Sequence, residues 1–339
     1  MKKIKIPKEI RINVGPDCDS NCIGCSKQGP KDQKGNLLEL FDYVKLIEEL
    51  KSYGQTRAIS LTGGEPLHPK LIATTIELIK KSKPWDVRLC TNGHFIDRGT
   101  ANKLKKIGVN SVQVGFDSAT KEFQDRRSRS KSAWDMTVRG IKNAAAAGLD
   151  VWTRFTLYKE NLNEVLPAYK LAESLGAAQF KLRILFPVGG CVKNCLAQIP
   201  SGRQLADAQY GALLISKGNQ ARLELSQPCF FKIPAGYNAF IEDNSSCGEL
   251  NNGSINAHGL VEYCLFCEDG EVFGNIKNNG FIDLWNSPEI EVFRKSKKRK
   301  GKIVGCPAFE FQYNKYLSNY RNIFERDLVK RTQELQINL

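Results

Sequence analysis

The stretch Gly15-Pro-Asp-Cys-Asp-Ser-Asn-Cys-Ile-Gly-Cys-Ser26 places Cys18, Cys22 and Cys25 in one glycine-containing loop directly after a short apolar strand. Three thiolates on so short a loop can each hold one iron of a [4Fe-4S] cube. With no fourth cysteine in the loop, one iron stays open to a ligand that is not protein. The same Cys-x3-Cys-x2-Cys spacing also suits a zinc site, so its context decides.

That context is a chain of 339 residues, 41% of them hydrophobic, enough for one large domain and a smaller one. No apolar run is long enough to span a membrane. The start, Met1-Lys-Lys-Ile-Lys-Ile-Pro7, lacks the apolar region of a secretory signal. Eleven cysteines without such a signal imply a reducing, cytoplasmic setting, where thiols serve as metal ligands or reactive groups more readily than as disulfides. The net charge of +14 is spread widely, and its densest run, Arg294-Lys-Ser-Lys-Lys-Arg-Lys-Gly-Lys302, reads as a solvated loop rather than a nucleic-acid surface.

Outward from the cysteine loop, short β-branched strands alternate with amphipathic helices. Strands are predicted at 11–14, 58–61, 87–90, 110–116, 151–157 and 180–186. Helices are predicted over 40–53, 70–80, 100–107, 133–147 and 162–174, several closed by a glycine stop signal such as Gly54, Gly148 or Gly176. Strands joined by helical crossovers run parallel and are buried on both faces, so the expected fold is α/β, a partial (β/α)6 TIM-like barrel. The expected organisation is a barrel over 1–190, a linker with a bridging helix over 191–240, and a smaller Cys-rich unit over 241–339.

In such a barrel chemistry collects in the loops after the strands. Strand two is followed by Leu61-Thr-Gly-Gly-Glu-Pro-Leu67, strand three ends in Cys90-Thr-Asn-Gly93, and strand four in Gly115-Phe-Asp-Ser118. Each alone is an ordinary βα turn. Together with the cysteine loop, and in this order, they resemble the radical SAM superfamily over about residues 8–190. The resemblance implies that the cube at Cys18, Cys22 and Cys25 chelates S-adenosylmethionine through its open iron, and that Gly63, Gly64, Glu65 and Pro66 bind the amino group of that cofactor. It also implies hydrogen abstraction by a 5'-deoxyadenosyl radical, fed by an external electron donor such as flavodoxin or ferredoxin.

Two positions depart from the family pattern. Gly24 stands before the third cysteine where an aromatic residue is common, and Gly115 stands where many relatives have serine. Asn92, Asp117 or Ser118 are candidates to replace that serine at the ribose. Arg154 is the candidate partner of the cofactor carboxylate, its alternative being a strand arginine that reaches a helix carboxylate.

Beyond residue 190, Cys247-x11-Gly259-x4-Cys264 resembles the opening of SPASM and twitch extensions, in which a hairpin ligates an auxiliary iron-sulfur cluster. Cys267 and Cys306 are the natural further ligands, with Cys229 as an alternative to Cys267, and a single auxiliary [4Fe-4S] cluster is the better fit. A four-cysteine zinc ribbon is the competing reading. Cys191 and Cys195 are candidate hydrogen donors to a substrate radical, or further ligands, or packed thiols. Such an enzyme acts on a peptide, as a precursor-modifying maturase, or on a small carbohydrate-like or aminocyclitol metabolite, as a dehydrogenase or epimerase. The non-catalytic alternative is an Fe-S or zinc protein that binds nucleic acid.

Overall fold

The computed structural model describes residues 4–28, 35–226, 229, 231–241, 252–262, 272–297 and 320–336. Its first half is the expected βα repeat. β1 (Glu9–Asn13), α1 (Leu40–Tyr53), β2 (Ala58–Thr62), α2 (Ile72–Ser82), β3 (Asp86–Thr91) and α3 (Arg98–Ile107) follow one another. Then come β4 (Ser111–Gly115), α4 (Lys121–Ser128), α5 (Ala133–Ala146), β5 (Asp150–Leu157), α6 (Val165–Ser174) and β6 (Gln179–Ile184). Each strand pairs with the next in parallel register. Gly54 ends α1 as read from the sequence, and Gly108, which the sequence reading did not mark, ends α3; both take the left-handed conformation that closes a helix without a Cβ penalty. The charged helix α4, placed between two motifs, carries no apolar periodicity, which is why sequence reading passes over it.

The partial barrel is larger than six strands. Residues 191–240, expected as a linker with a bridging helix, supply the short helix α7 (Gly190–Asn194) and α8 (Gly202–Ser216). A Ser201–Gln204 capping box starts α8. They then supply β7 (Arg222–Leu225) and, one residue over the boundary, β8 (Ala239–Ile241), both parallel additions beside β6. At the opposite edge β9 (Asn252–Ile255) pairs in parallel with β1, and β10 (Leu260–Glu262) and β11 (Val272–Asn275) continue antiparallel. The result is one sheet in the order β11-β10-β9-β1-β2-β3-β4-β5-β6-β7-β8. Three helices follow: α9 (Phe281–Trp285), α10 (Pro288–Lys297) and α11 (Tyr320–Gln336), the last bound to α8 by Arg331 on Asp207 (2.7 Å). Part of the basic run expected as a loop, residues 294–297, closes α10, because apolar Ile290, Val292 and Phe293 upstream supply helical spacing. No helix among the described residues is long and apolar enough to cross a membrane.

The two faces of the sheet differ in chemistry. Ile10, Ile12, Ile59, Leu61, Val87, Leu89, Val112, Val114, Val151 and Phe155 are fully buried in one core with the helices. The alternate residues, which the two-residue period of a strand turns the other way, form the barrel lumen and are strongly polar. Its lower part is internally satisfied. Glu9 accepts from Ser60 Oγ (2.7 Å) and pairs with Arg88 (2.9 Å), which also pairs with Asp86. Trp152 lies there between the Arg88 guanidinium and Lys181 Nζ, 5.4 and 4.1 Å from its ring centroid.

Candidate active site

The cysteine loop leaves β1 at the C-terminal edge of the sheet and is tied down on three sides. Gly64 N–H donates to Gly15 O and Glu65 N–H to Asp17 O, both at 2.8 Å. A β-carbon on Gly64 would sit 2.2 Å from Asp17 O and 2.3 Å from Pro16 O, and one on Gly63 would sit 2.7 Å from Gly15 O. The paired glycines are therefore required by the passage of the cysteine loop itself across them. From α4, the carbonyls of Ser128 and Arg127 accept from Asn21 N–H and Ile23 N–H. From the third strand's loop, Asn92 Nδ2–H donates to Asp19 Oδ1 (2.7 Å), while His94 Nδ1 meets Asp19 Oδ2 at 2.6 Å. Burial opposes the charge on Asp19, but the His94 and Asn92 contacts outweigh it and hold the carboxyl below the usual range.

None of the thiols of this loop is in a disulfide; Cys18 is exposed, and Cys22 and Cys25 are half-buried. Burial pushes Cys18 up to about 12 and raises Cys25, and the charge of Cys22 acts on both in the same direction. Cys22 thus stands within electrostatic reach of both Cys18 and Cys25.

Glu65 is 1% exposed and entirely engaged. Its Oε1 accepts from Leu67 N–H (3.0 Å) and Thr91 Oγ (2.7 Å), and its Oε2 from Asn92 N–H (2.7 Å). Burial pushes its carboxyl up to about 7, against the pull of those three donors. Its side chain thus joins the second loop to the third. Asn92, Asp117 and Ser118, the candidates for the ribose, are likewise occupied by protein partners. Asn92 Oδ1 accepts from His94 N–H. Asp117 accepts from Thr156 N–H (2.6 Å) and meets Arg127 Nε at 2.9 Å. The Ser118 hydroxyl bonds Glu164 and Thr120. Pro66 O accepts from Thr75 Oγ at 2.8 Å.

Gly24 has a direct explanation. A β-carbon there would lie 2.3 Å from the hydroxyl of Tyr158, which arrives from the end of β5 and packs edge-on to Phe123. Tyr158, 134 residues further along the chain, occupies the space that a side chain at position 24 would need. Arg154 is exposed on the lumen face of β5, opposite Gly115, where a β-carbon would meet nothing within 4 Å. Cys191 and Cys195 are both buried, with Cys195 Sγ 3.7 Å from Ile23 O. They lie under the cysteine loop, where Gly190 N–H also donates to Cys25 O (2.8 Å). Cys229 is buried too, which pushes its thiol up to about 12. Cys247, Cys264, Cys267 and Cys306 lie outside the described residues. Sequence reading missed Asp19, His94, Arg127 and Tyr158; the one local signal was His94, directly after Cys90-Thr-Asn-Gly93.

A parallel sheet with three thiols in the loop after its first strand is the arrangement that the resemblance to the radical SAM superfamily implies. The sequence profile of the radical SAM superfamily matches residues 12–172, and that of an iron-sulfur cluster-binding domain, SPASM, matches 247–316. The chain belongs to the radical SAM superfamily, carries a SPASM-type extension, and is an enzyme using S-adenosylmethionine, a [4Fe-4S] cluster and auxiliary iron-sulfur chemistry. It is 26% identical to Fe-coproporphyrin III synthase of Methanosarcina barkeri over 310 residues, covering 85% of this chain and 76% of that protein. It is 25% identical to AdoMet-dependent heme synthase of the same organism over 323 residues, covering 88% of each. Its fold is similar to that of SuiB of Streptococcus suis bound to precursor peptide SuiA, with a TM-score of 0.66 at 15% identity over 90% of this chain and 71% of that one.

Proposed function

We propose that this enzyme abstracts a hydrogen atom from a small metabolite held in the barrel lumen, for which an auxiliary cluster in the SPASM-type extension would serve as electron acceptor. The observation that carries the reading is the seat of the cysteine loop: it lies at the C-terminal edge of a sheet whose inner face is polar and, beside Arg154 and Gly115, open. Cys18, Cys22 and Cys25 would hold the cube, and Arg154 the cofactor carboxylate. Bound there, cluster and cofactor supply a 5'-deoxyadenosyl radical that abstracts hydrogen from an unactivated C–H bond. The chain's own residues fix the loop through Asp19, Glu65 and the paired glycines. Trp152, Arg88 and Lys181 fill the lower lumen, which favours a compact substrate over an extended peptide. The two sequence relatives, named for porphyrin and heme synthesis, support a metabolite; the likeness to a peptide-binding enzyme is one of fold.

Anaerobically reconstituted, reduced protein is expected to cleave S-adenosylmethionine to 5'-deoxyadenosine and methionine, and Cys25→Ala to lose at least 99% of that rate. Equal cleavage by both, measured by chromatography, ends the reading. Iron bound by Cys18→Ala/Cys22→Ala/Cys25→Ala reports the auxiliary site, and zinc there instead of iron removes the electron acceptor.

A further inference from the structure

On the lumen face of β1, Arg11 stands two residues before the strand ends at Asn13, where the cysteine loop begins. It is half-buried, and no hydrogen bond or ion pair engages its guanidinium among the described residues. The acid nearest to it along β1, Glu9, has its oxygens taken by Ser60 and Arg88. In register with Arg11 on the neighbouring β9 is Ser254, 4% exposed, whose hydroxyl oxygen is buried and has no hydrogen-bond partner. Buried Glu262 of β10 is in register with Ser254 on its far side.

A guanidinium stays charged at any physiological pH, and burying one without a counter-ion costs free energy, as does a buried hydroxyl without a partner. A bound ligand is one way such costs are removed. The parallel strand that brings Ser254 beside Arg11 comes from the region matched by the iron-sulfur extension. The two unsatisfied groups thus face the lumen from the barrel on one side and the extension on the other. The cofactor carboxylate cannot be the ligand for both unpaired lumen arginines, because Arg11 and Arg154 sit on strands separated by three others.

We infer that the substrate is an anion whose carboxylate or phosphate oxygens are bound by the Arg11 guanidinium and the Ser254 hydroxyl, a subsite shared by barrel and extension. This deepens the reading of the lumen as the substrate site and rests on it. A fork of donors on an oxyanion supplies both charge and orientation. It fixes one end of the substrate at the β1 wall, so that the C–H bond to be broken is set by the distance from that anchor.

The experiment uses reconstituted holoenzyme with S-adenosylmethionine present and two probes, succinate and pyrophosphate, titrated calorimetrically. At least one is expected to bind the wild type ten-fold or more tightly than Arg11→Gln, and about three-fold more tightly than Ser254→Ala, with Arg11→Lys in between. A preference for pyrophosphate assigns a phosphorylated substrate, and one for succinate a carboxylate. S-adenosylmethionine affinity is the control for folding. Equal probe affinity in wild type and Arg11→Gln overturns the subsite, as does loss of S-adenosylmethionine affinity in Ser254→Ala and Arg11→Lys together with probe affinity. Probe binding that depends on Arg11 in a protein that never cleaves S-adenosylmethionine upholds the subsite and overturns the proposed activity instead.

Discussion

Two sets of polar side chains gather near the C-terminal ends of the strands, and they differ in where their hydrogen bonds go. Glu65, Asn92, Asp117 and Ser118 belong to the sequence motifs, and every one is engaged by backbone or neighbouring side chains. Arg11, Arg154 and Ser254 belong to no motif, and their side chains have no protein hydrogen bond among the described residues. The contrast teaches that motif residues here build the seat of the cysteine loop, while groups left over for ligands stand on the strands below. Buried polar groups are normally satisfied, which makes the buried Ser254 hydroxyl the exception among them.

The comparison breaks most directly at Gly64. If the glycines serve the cysteine loop, Gly64→Ala drives a β-carbon into two backbone carbonyls that cannot move away cheaply. The expected result is loss of most bound iron at the cysteine loop and a destabilisation of about 3 kcal/mol, the upper part of the overpacking range. It should appear in cluster-free protein as well. Normal thermal stability of cluster-free Gly64→Ala would return the glycines to the cofactor.

The pH dependence of Glu65 sharpens the same side. Its carboxyl is held at about 7 in the fold, chiefly by burial, and ionises near 4.5 when unfolded. Between these values the folded state keeps a proton that the unfolded state has released, so Glu65 makes stability fall as pH rises from about 4.5 to about 7. Denaturant unfolding of cluster-free protein should show this decline, and Glu65→Gln, though less stable, should lack its share of the slope. An identical slope in the variant would mean that the three hydrogen bonds, and not burial, govern the group.

On the other side of the comparison, Arg154→Gln should weaken S-adenosylmethionine about ten-fold, the loss of one charge-assisted contact, and leave thermal stability within about 0.5 kcal/mol because Arg154 holds no partner in the fold. A fall in stability with unchanged cofactor affinity would make it a structural residue after all.

Much of this architecture is written locally. The cysteine spacing, the glycine stop of α1, and the alternation of short strands with amphipathic helices each lie within one element or one turn, where periodicity and capping act over a few residues. Those features determined the superfamily, the cluster loop and the barrel core. What the sequence could not determine depends on partners far apart along the chain. Asp19 meets His94 across 75 residues, and Tyr158 fills the space beside Gly24. β9 reaches β1 to set Ser254 against Arg11, and β7 and β8 turn an expected linker into sheet. Only the tertiary structure decides which polar groups find partners, because a hydrogen bond closes or stays open according to what the topology brings within about 3 Å of it.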